Sequence, residues 1–434
     1  MAFTPLQTIR ARSGAARVFL AALFAAGFLS SCRPIVDLPV LSTINGLDHK
    51  YYVDEKHYGK IFQTIWTGIN NNYVFWELEP LEYWDQVWDT YKPKFDRLGT
   101  GGADDALAIQ YFREMFEPLK EGHLRLEMFQ GSAPEPAYEL RPGRDRVDAR
   151  FNGTGDDRNP FLAFSGFSYY QTLVPPTVRP AGGINIREVQ SVPNYTGAAV
   201  KGKINLGDGT YIAYFYFNQF SFSNGTGSPG AAAYRAFLAG FVDNPGCRGL
   251  IFDVRGNTGG NAKDIALLLG PLLSDNLTVA HIRYKKGEGR LNYLPWTPWV
   301  IEAAAPENRI VRAGELPIVA LVNDYSASCA EILALALKTM PHGELVGTCT
   351  FGATGLRFGD SPIVLSGGSF NVVAGNTEWR ITEAGFQTRG PDFTNYEAAG
   401  IEPAFIVPFS QSDFAAGNDA QLEKAMLLIQ ERGR

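Results

Sequence analysis

The chain has 434 residues, enough for two or three domains rather than one ordinary core. Hydrophobic residues make up 45% and charged residues 19%, a balance that supports a packed interior and excludes a disordered chain. The formal net charge is −6 and no long basic run occurs, which excludes nucleic acid as an expected partner.

Arg10, Arg12 and Arg17 precede an apolar run from Val18 to Leu29. The run is shorter than the roughly 20 residues that span a bilayer, and a basic start before a short apolar core is the signal-peptide pattern. Leu29, Ser30, Ser31 and Cys32 follow, and they resemble the bacterial lipoprotein processing box. The resemblance implies cleavage before Cys32, acylation of its thiol, and an exported chain held in the cell envelope by lipid. The plainer alternative is an ordinary signal peptide with an incidental cysteine. Residues 1–31 are thus read as the signal peptide and 32–45 as a tether. The four cysteines have neither zinc-site spacing nor the number a disulfide framework needs, and no metal or cofactor is expected.

Residues 46–130 read as a small helical domain. Tyr58, Ile61, Phe62, Ile65 and Trp66 recur at three- and four-residue steps, as do Trp84, Val87, Trp88 and Tyr91. These aromatics suit a core better than a ligand platform. Residues 131–205, rich in Pro, Gly, Asp and Asn, read as an irregular β and loop region. From 206 to 434 buried strands alternate with helices. Strands are expected at 211–217, 249–255 and 316–323, and helices at 231–242, 261–273 and 329–340. Such alternation implies an α/β layer structure, in which chemistry gathers where strands end and helices begin.

Two of these junctions carry motifs. Asp253 to Asn261 reads DVRGNTGGN, a turn whose paired glycines let backbone N–H groups approach a ligand. Asn323 to Ile332 reads NDYSASCAEI and sets a serine at a helix N-terminus, where backbone N–H groups favour developing negative charge. Read alone, Ser326 and Ser328 are equally good helix caps. A third stretch, Tyr396 to Pro403, reads YEAAGIEP.

Taken together and in this order, the three stretches resemble the C-terminal processing and tricorn-type serine peptidase family. They resemble its D-x-R-x-N-x-G-G turn, its S-A-S-x-x-E helix opening and its closing E-G-x-G-I-x-P. The resemblance implies a crotonase-like ββα core of the tricorn and processing-peptidase type, and a serine-type peptidase activity on a peptide or protein substrate. It implies Ser328 as nucleophile and the N–H groups of Gly260 and Cys329 as an oxyanion hole, with Ser326 and Glu331 structural. Processing members carry a lysine base in a Phe-Gly-Lys-Gly stretch; here Phe351 to Gly355 reads FGATG, with Ala353 at the lysine position. Lys338 is too far along the helix to replace it. Tricorn-type members use a histidine from the N-terminal part. Among the five histidines, His123 in KEGHLRL (Lys120 to Leu126) matches that segment. Its ordinary pKa suits base work near neutrality. His342, beside Pro341 and Gly343, reads as structural. The residue before His123 is Gly122 where the family's relay has a serine. Glu397 is the candidate carboxylate for orienting the imidazole, and Glu121 is its local rival. The signature of the substrate-binding PDZ domain that processing members often carry is missing. A catalytically inactive binder of peptides or hydrophobic ligands on the same scaffold is the second reading, and a glycan-binding module the third.

Overall fold

The computed structural model describes residues 49–53, 57–99, 102–150, 186–191, 199–223, 229–287, 289–357, 368–410, 412–413 and 418–432. The signal-peptide, tether and Cys32 readings fall outside them. In chain order the elements begin β1 (His49–Val53), α1 (Tyr58–Asn72), α2 (Tyr83–Phe95), α3 (Gly102–Phe116), β2 (Arg125–Gln130), β3 (Tyr138–Leu140), α4 (Pro142–Arg150), β4 (Ile186–Ser191) and β5 (Ala199–Asn205). They continue β6 (Tyr211–Phe217), α5 (Pro229–Phe237), β7 (Cys247–Asp253), α6 (Lys263–Leu269), β8 (Leu277–Tyr284), β9 (Thr297–Ile301), β10 (Ile318–Val322) and α7 (Cys329–Thr339). The last are β11 (Gly343–Gly347), β12 (Phe370–Ala374), β13 (Thr377–Thr382), β14 (Phe386–Arg389), β15 (Phe405–Ile406) and α8 (Ala420–Arg432).

The organising element is a seven-stranded sheet, in the order β15-β11-β10-β7-β6-β5-β4. From β6 to β15 its neighbours run parallel, while β4 and β5 are antiparallel additions. Strand β6 (YIAYFYF) is buried at all seven positions because helices cover both faces of the sheet. On one face Phe215 and Phe252 pack with Tyr234 and Phe237 of α5, Leu268 of α6 and Leu333 of α7. On the other, Tyr214 and Ile251 meet Leu422, Ala425 and Ile429 of α8. The expected α/β core is present, and β7 and β10, the strands that feed the two motif turns, lie side by side.

The N-terminal part is not a separate helical domain. Residues 41–434 form one compact unit. His49–Val53 and Arg125–Gln130, read as ends of a helical segment, are strands of a five-stranded sheet ordered β1-β12-β13-β2-β3. Their partners β12 and β13 lie more than two hundred residues downstream, so local periodicity carries no trace of the pairing. Helices α1 to α3 do form the expected aromatic core. Trp66 and Trp84 donate their indole N–H groups to each other's backbone carbonyls at 2.7 and 2.9 Å. Phe112 of α3 packs on Trp379 of β13, with ring centroids 4.8 Å apart. The boundary set at 205 is also displaced, since β4 and β5 belong to the main sheet. Within the loop-rich region, 142–150 is a helix, opened by Pro142 at the one helical position that tolerates a missing N–H.

Candidate active site

Ser328 sits at the junction of β10 and α7 with φ 59° and ψ −120°. A non-glycine residue here carries strain on the order of 1–3 kcal/mol and needs surroundings that enforce it. Those surroundings are specific. The Ser328 N–H donates to the Glu331 carboxylate at 3.1 Å. Ser326 Oγ accepts from the Asn323 N–H at 3.0 Å and donates to the Val254 carbonyl at 2.7 Å. Asn323 Oδ1 accepts from the Gly256 N–H at 2.9 Å, and the Ala327 N–H donates to the Asn257 carbonyl at 2.9 Å. The two motif turns are therefore stitched into one structure, and Ser326 ties rather than caps.

The glycine turn meets the serine closely. A Cβ added at Gly259 would lie 2.5 Å from Ser328 Cβ and 2.9 Å from the Cys329 nitrogen, and Gly259 has φ 91°. Gly259 is thus the residue that forces glycine here, and the next peptide carries the Gly260 N–H. Cys329 is the first residue of α7, where an N–H has no intrahelical acceptor. Its thiol donates to the Gly260 carbonyl at 3.1 Å, and burial pushes its pKa up to about 12. Cys329 and Cys349 are both free thiols.

Glu331 is the hub of the site. It is fully buried, and besides the Ser328 N–H it accepts from Thr350 Oγ1 at 2.7 Å and from the Gly352 and Ala353 N–H groups at 2.8 Å each. One carboxylate thereby fixes both the nucleophile turn and the turn holding the vacated lysine position. Burial raises its pKa to about 7.

His123 is delivered onto that second turn. A Cβ at Gly122 would fall 2.5 Å from Ala353 Cβ and 2.6 Å from the Gly352 carbonyl oxygen, so the two backbones are in direct contact. This contact explains why the position before His123 is a glycine and leaves no room for a serine relay. His123 lines a cavity of about 320 Å³ together with Thr258, Tyr325, Ala327 and Ala353. Thr258 and Ala327 adjoin Gly259 and Ser328 in sequence, so the imidazole and the nucleophile turn border one space. His123 Nδ1 is buried and has no hydrogen-bond partner among the described residues. Burial, then the charge of Arg357, lowers the pKa of the ring to about 4.

The expected orienting carboxylates stand elsewhere. Glu397 Oε1 accepts from the Gly122 N–H at 2.7 Å, while its Oε2 accepts from the Gly355 N–H at 2.7 Å and Thr354 Oγ1 at 3.1 Å. It holds the backbone of the histidine turn and not the ring, because its oxygens are already committed to backbone donors and a hydroxyl. Burial raises its pKa to about 7. Glu121 Oε1 accepts from the Ala384 N–H, and its Oε2 has no partner. Among the described residues no carboxylate bonds the imidazole Nδ1. Among the described residues, no group of three or more His, Cys, Asp and Glu side chains could hold a metal. His342 ends α7's turn and donates nothing to the site; its carbonyl accepts from the Ile318 N–H at 2.9 Å.

The sequence reading also missed what Asp253 and Arg255 do. Arg255 is fully buried and pairs with Asp253 at 2.6 Å and with Asp419 at 2.8 Å. Asp419 Oδ1 in turn accepts from the Leu422 N–H at 3.0 Å. The D-x-R half of the motif therefore pins the terminal helix to the sheet. Only the N-x-G-G half reaches Ser328.

Residues 211–405 match Peptidase family S41. This stretch, less than half of the chain, is similar to an S41 peptidase domain. Ser328, Cys329, Gly260, Glu331 and Glu397 lie within the matched stretch, whereas His123 comes from the segment before it. The chain is 30% identical over 111 residues to the carboxy-terminal processing protease CtpA of Bacillus subtilis, covering 26% of this chain and 21% of that one. It is 25% identical over 200 residues to the tricorn protease of Thermoplasma volcanium, covering 46% and 16%. The match thus spans about a fifth or less of these relatives' length. The fold resembles a crystal structure of a candidate peptidase from Parabacteroides merdae, with a TM-score of 0.59 at 21% identity over 85% of this chain and 95% of that one. It also resembles mature CPAF, with a TM-score of 0.56 at 15% identity over 87% and 98%. At such identities the structural likeness shows the fold alone.

Proposed function

We propose that this protein is a serine endopeptidase in which Ser328 attacks the peptide carbonyl and His123 accepts its proton. The supporting observation is the shared space: His123 borders the same cavity as the residue before Ser328, although the two come from opposite sides of the domain boundary. At pH 7 a ring whose pKa lies near 4 is neutral, which is the form a general base requires. The oxyanion would be met by the N–H of Cys329 at the helix start and by that of Gly260, a term commonly worth about 3–4 kcal/mol. Proton return from the imidazole to the leaving amine would leave an acyl-enzyme, which water then hydrolyses. Glu397 acts as a positioning residue through Gly122. The substrates fitting an exported enzyme are extracytoplasmic peptides or unfolded proteins, and Cys32 would tether the chain to the membrane through lipid.

The test is hydrolysis of a quenched-fluorescence peptide library by the parent and by Ser328→Ala, with a fluorophosphonate probe mapped by peptide sequencing. Hydrolysis and labelling at Ser328, both lost in the variant, are expected; equal hydrolysis by the variant would refute the assignment. The bare Nδ1 of His123 and the alanine at position 353 favour one second reading, a peptide binder that no longer turns over. Peptide binding without labelling of Ser328 would select it. Loss of membrane association in Cys32→Ala would test the anchor.

A further inference from the structure

The chain that leads to His123 is held amide by amide. The Lys120 N–H donates to Glu79 Oε1 at 2.8 Å, the Glu121 N–H to the Tyr73 hydroxyl at 3.3 Å and the Gly122 N–H to Glu397 Oε1 at 2.7 Å. The Glu121 side chain adds a further tie: its Oε1 accepts from the Ala384 N–H, which joins the histidine turn to the end of β13. The residue before Ala384 is Glu383. Both carboxyl groups are fully buried. Glu121 Oε2 and both oxygens of Glu383 have no hydrogen-bond partner among the described residues. Glu331 and Glu397, by contrast, each accept from several donors.

The charges around the pair do not relieve it. Lys285, just after β8, faces Glu383, yet its Nζ donates to the Gly289 carbonyl at 2.6 Å and leaves both Glu383 oxygens bare. Arg290 in turn faces Lys285. Glu397, Glu79 and Arg146 face Glu121, and Arg146 donates to the Leu119 and Lys120 carbonyls. An ionised carboxylate without donors is strongly disfavoured in a dry interior, and two facing each other more so. An un-ionised carboxyl group is a donor as well as an acceptor, so one proton lets either group bond the other. Burial, then the charge of Glu397, raises the pKa of Glu121 well above the usual carboxylate range; burial, then the charge of Glu121, does the same for Glu383.

We infer that Glu121 and Glu383 are positioning residues for His123: a proton shared between their carboxyl groups seats the histidine turn, and losing it as pH rises withdraws the imidazole from Ser328. This deepens the peptidase reading and rests on it. The seated turn binds the proton more tightly than the released one, so seating is complete at low pH and is lost as pH rises through the titration of the pair.

Two measurements on the full chain test this. Infrared difference spectra at neutral pH, parent against Glu121→Gln/Glu383→Gln, should show the carbonyl band of an un-ionised carboxyl group that the double variant lacks. Fluorophosphonate labelling at Ser328 is then followed from about pH 6 to about pH 10, each protein scaled to its own plateau. Labelling of the parent should decline on the alkaline side. In Glu383→Gln an amide that cannot ionise donates to Glu121, and the decline should move up by at least about one pH unit. Should that variant not fold, Glu121→Gln carries the same expectation. Absence of the infrared band, a parent without an alkaline decline, or a decline at the same pH in parent and variant would overturn the inference. Lys285, whose pKa burial lowers to about 8, titrates in the same range. A decline abolished by Lys285→Met but unmoved by Glu383→Gln would assign it to the lysine and overturn the inference too. A parent that is labelled at no pH overturns the peptidase reading and the seating role with it, whereas the infrared band stands or falls independently.

Discussion

The serine turn and the histidine turn are built in different ways. Around Ser328 most ties are side chains: Ser326, Asn323, Asn257 and Glu331 all bond backbone groups of the two motif turns. Around His123 the ties run through glycine. Gly122 is held by Glu397 and packs on Ala353, and the imidazole Nδ1 has no partner among the described residues. A nucleophile held in a strained backbone needs such bracing, whereas a base needs reach and a suitable pKa. The contrast teaches that the serine side is fixed by side-chain hydrogen bonds and the histidine side by close backbone packing.

The largest expected effect comes from removing the nucleophile. Ser328→Ala should lower peptide hydrolysis on the order of 10⁶-fold while the melting curve stays within a degree or two of the parent. Unchanged hydrolysis would dissolve the comparison, since the braced turn would then brace nothing chemical. Next, Glu331→Ala should cost about 3–5 kcal/mol in urea unfolding, because four buried donors lose their acceptor at once. A cost below about 1 kcal/mol would mean that the serine turn is self-supporting.

The pH dependence separates the two sides. Glu331 and Glu397 have folded pKa values near 7, raised above the unfolded carboxylate value of 4.5. The folded state then binds more protons than the unfolded state between about pH 4.5 and 7. Their contribution to stability is fully present below pH 4.5 and declines as pH rises through 7, by about 3 kcal/mol at most per group. The melting temperature should therefore fall between pH 5 and pH 8, and Glu331→Gln should flatten the slope. Activity runs the opposite way at low pH. Hydrolysis should fall as acid protonates His123, with a midpoint near pH 4. Smallest is Gly122→Ala, where the added methyl must push Ala353 and Gly352 aside. It should cost about 1–3 kcal/mol and reduce turnover more than binding. No change in turnover would mean that the histidine turn tolerates displacement.

How much of this could be read from the residues alone follows the same division. The strand-turn-helix units around Ser328 were legible because β7 and β10 are continuous apolar strands that feed motif turns of fixed spacing. Element ends drifted by only a few residues, as at Lys263–Leu269 against an expected 261–273. Strands β1 and β2 were invisible, because the partners that complete their sheet come from residues 370–382. Glu397 was singled out as the carboxylate that orients the imidazole, but it accepts from the Gly122 amide instead. Sequence shows that a carboxylate sits in a closing motif, not whether it faces a ring or an amide. Glu331 was assigned to structure, which holds, although its role as acceptor for both turns needed coordinates. The cavity beside His123 had no local signal at all, since lining residues such as Arg125, Tyr325 and Ala353 converge only in space.

The central claim is that His123 activates Ser328, and the rate of fluorophosphonate labelling at Ser328 tests it most directly. In His123→Ala the rate at pH 7 should fall by about 10²–10⁴-fold, with the fold intact by circular dichroism. Labelling of that variant at the parent's rate would contradict the pairing and leave the serine without its proton acceptor.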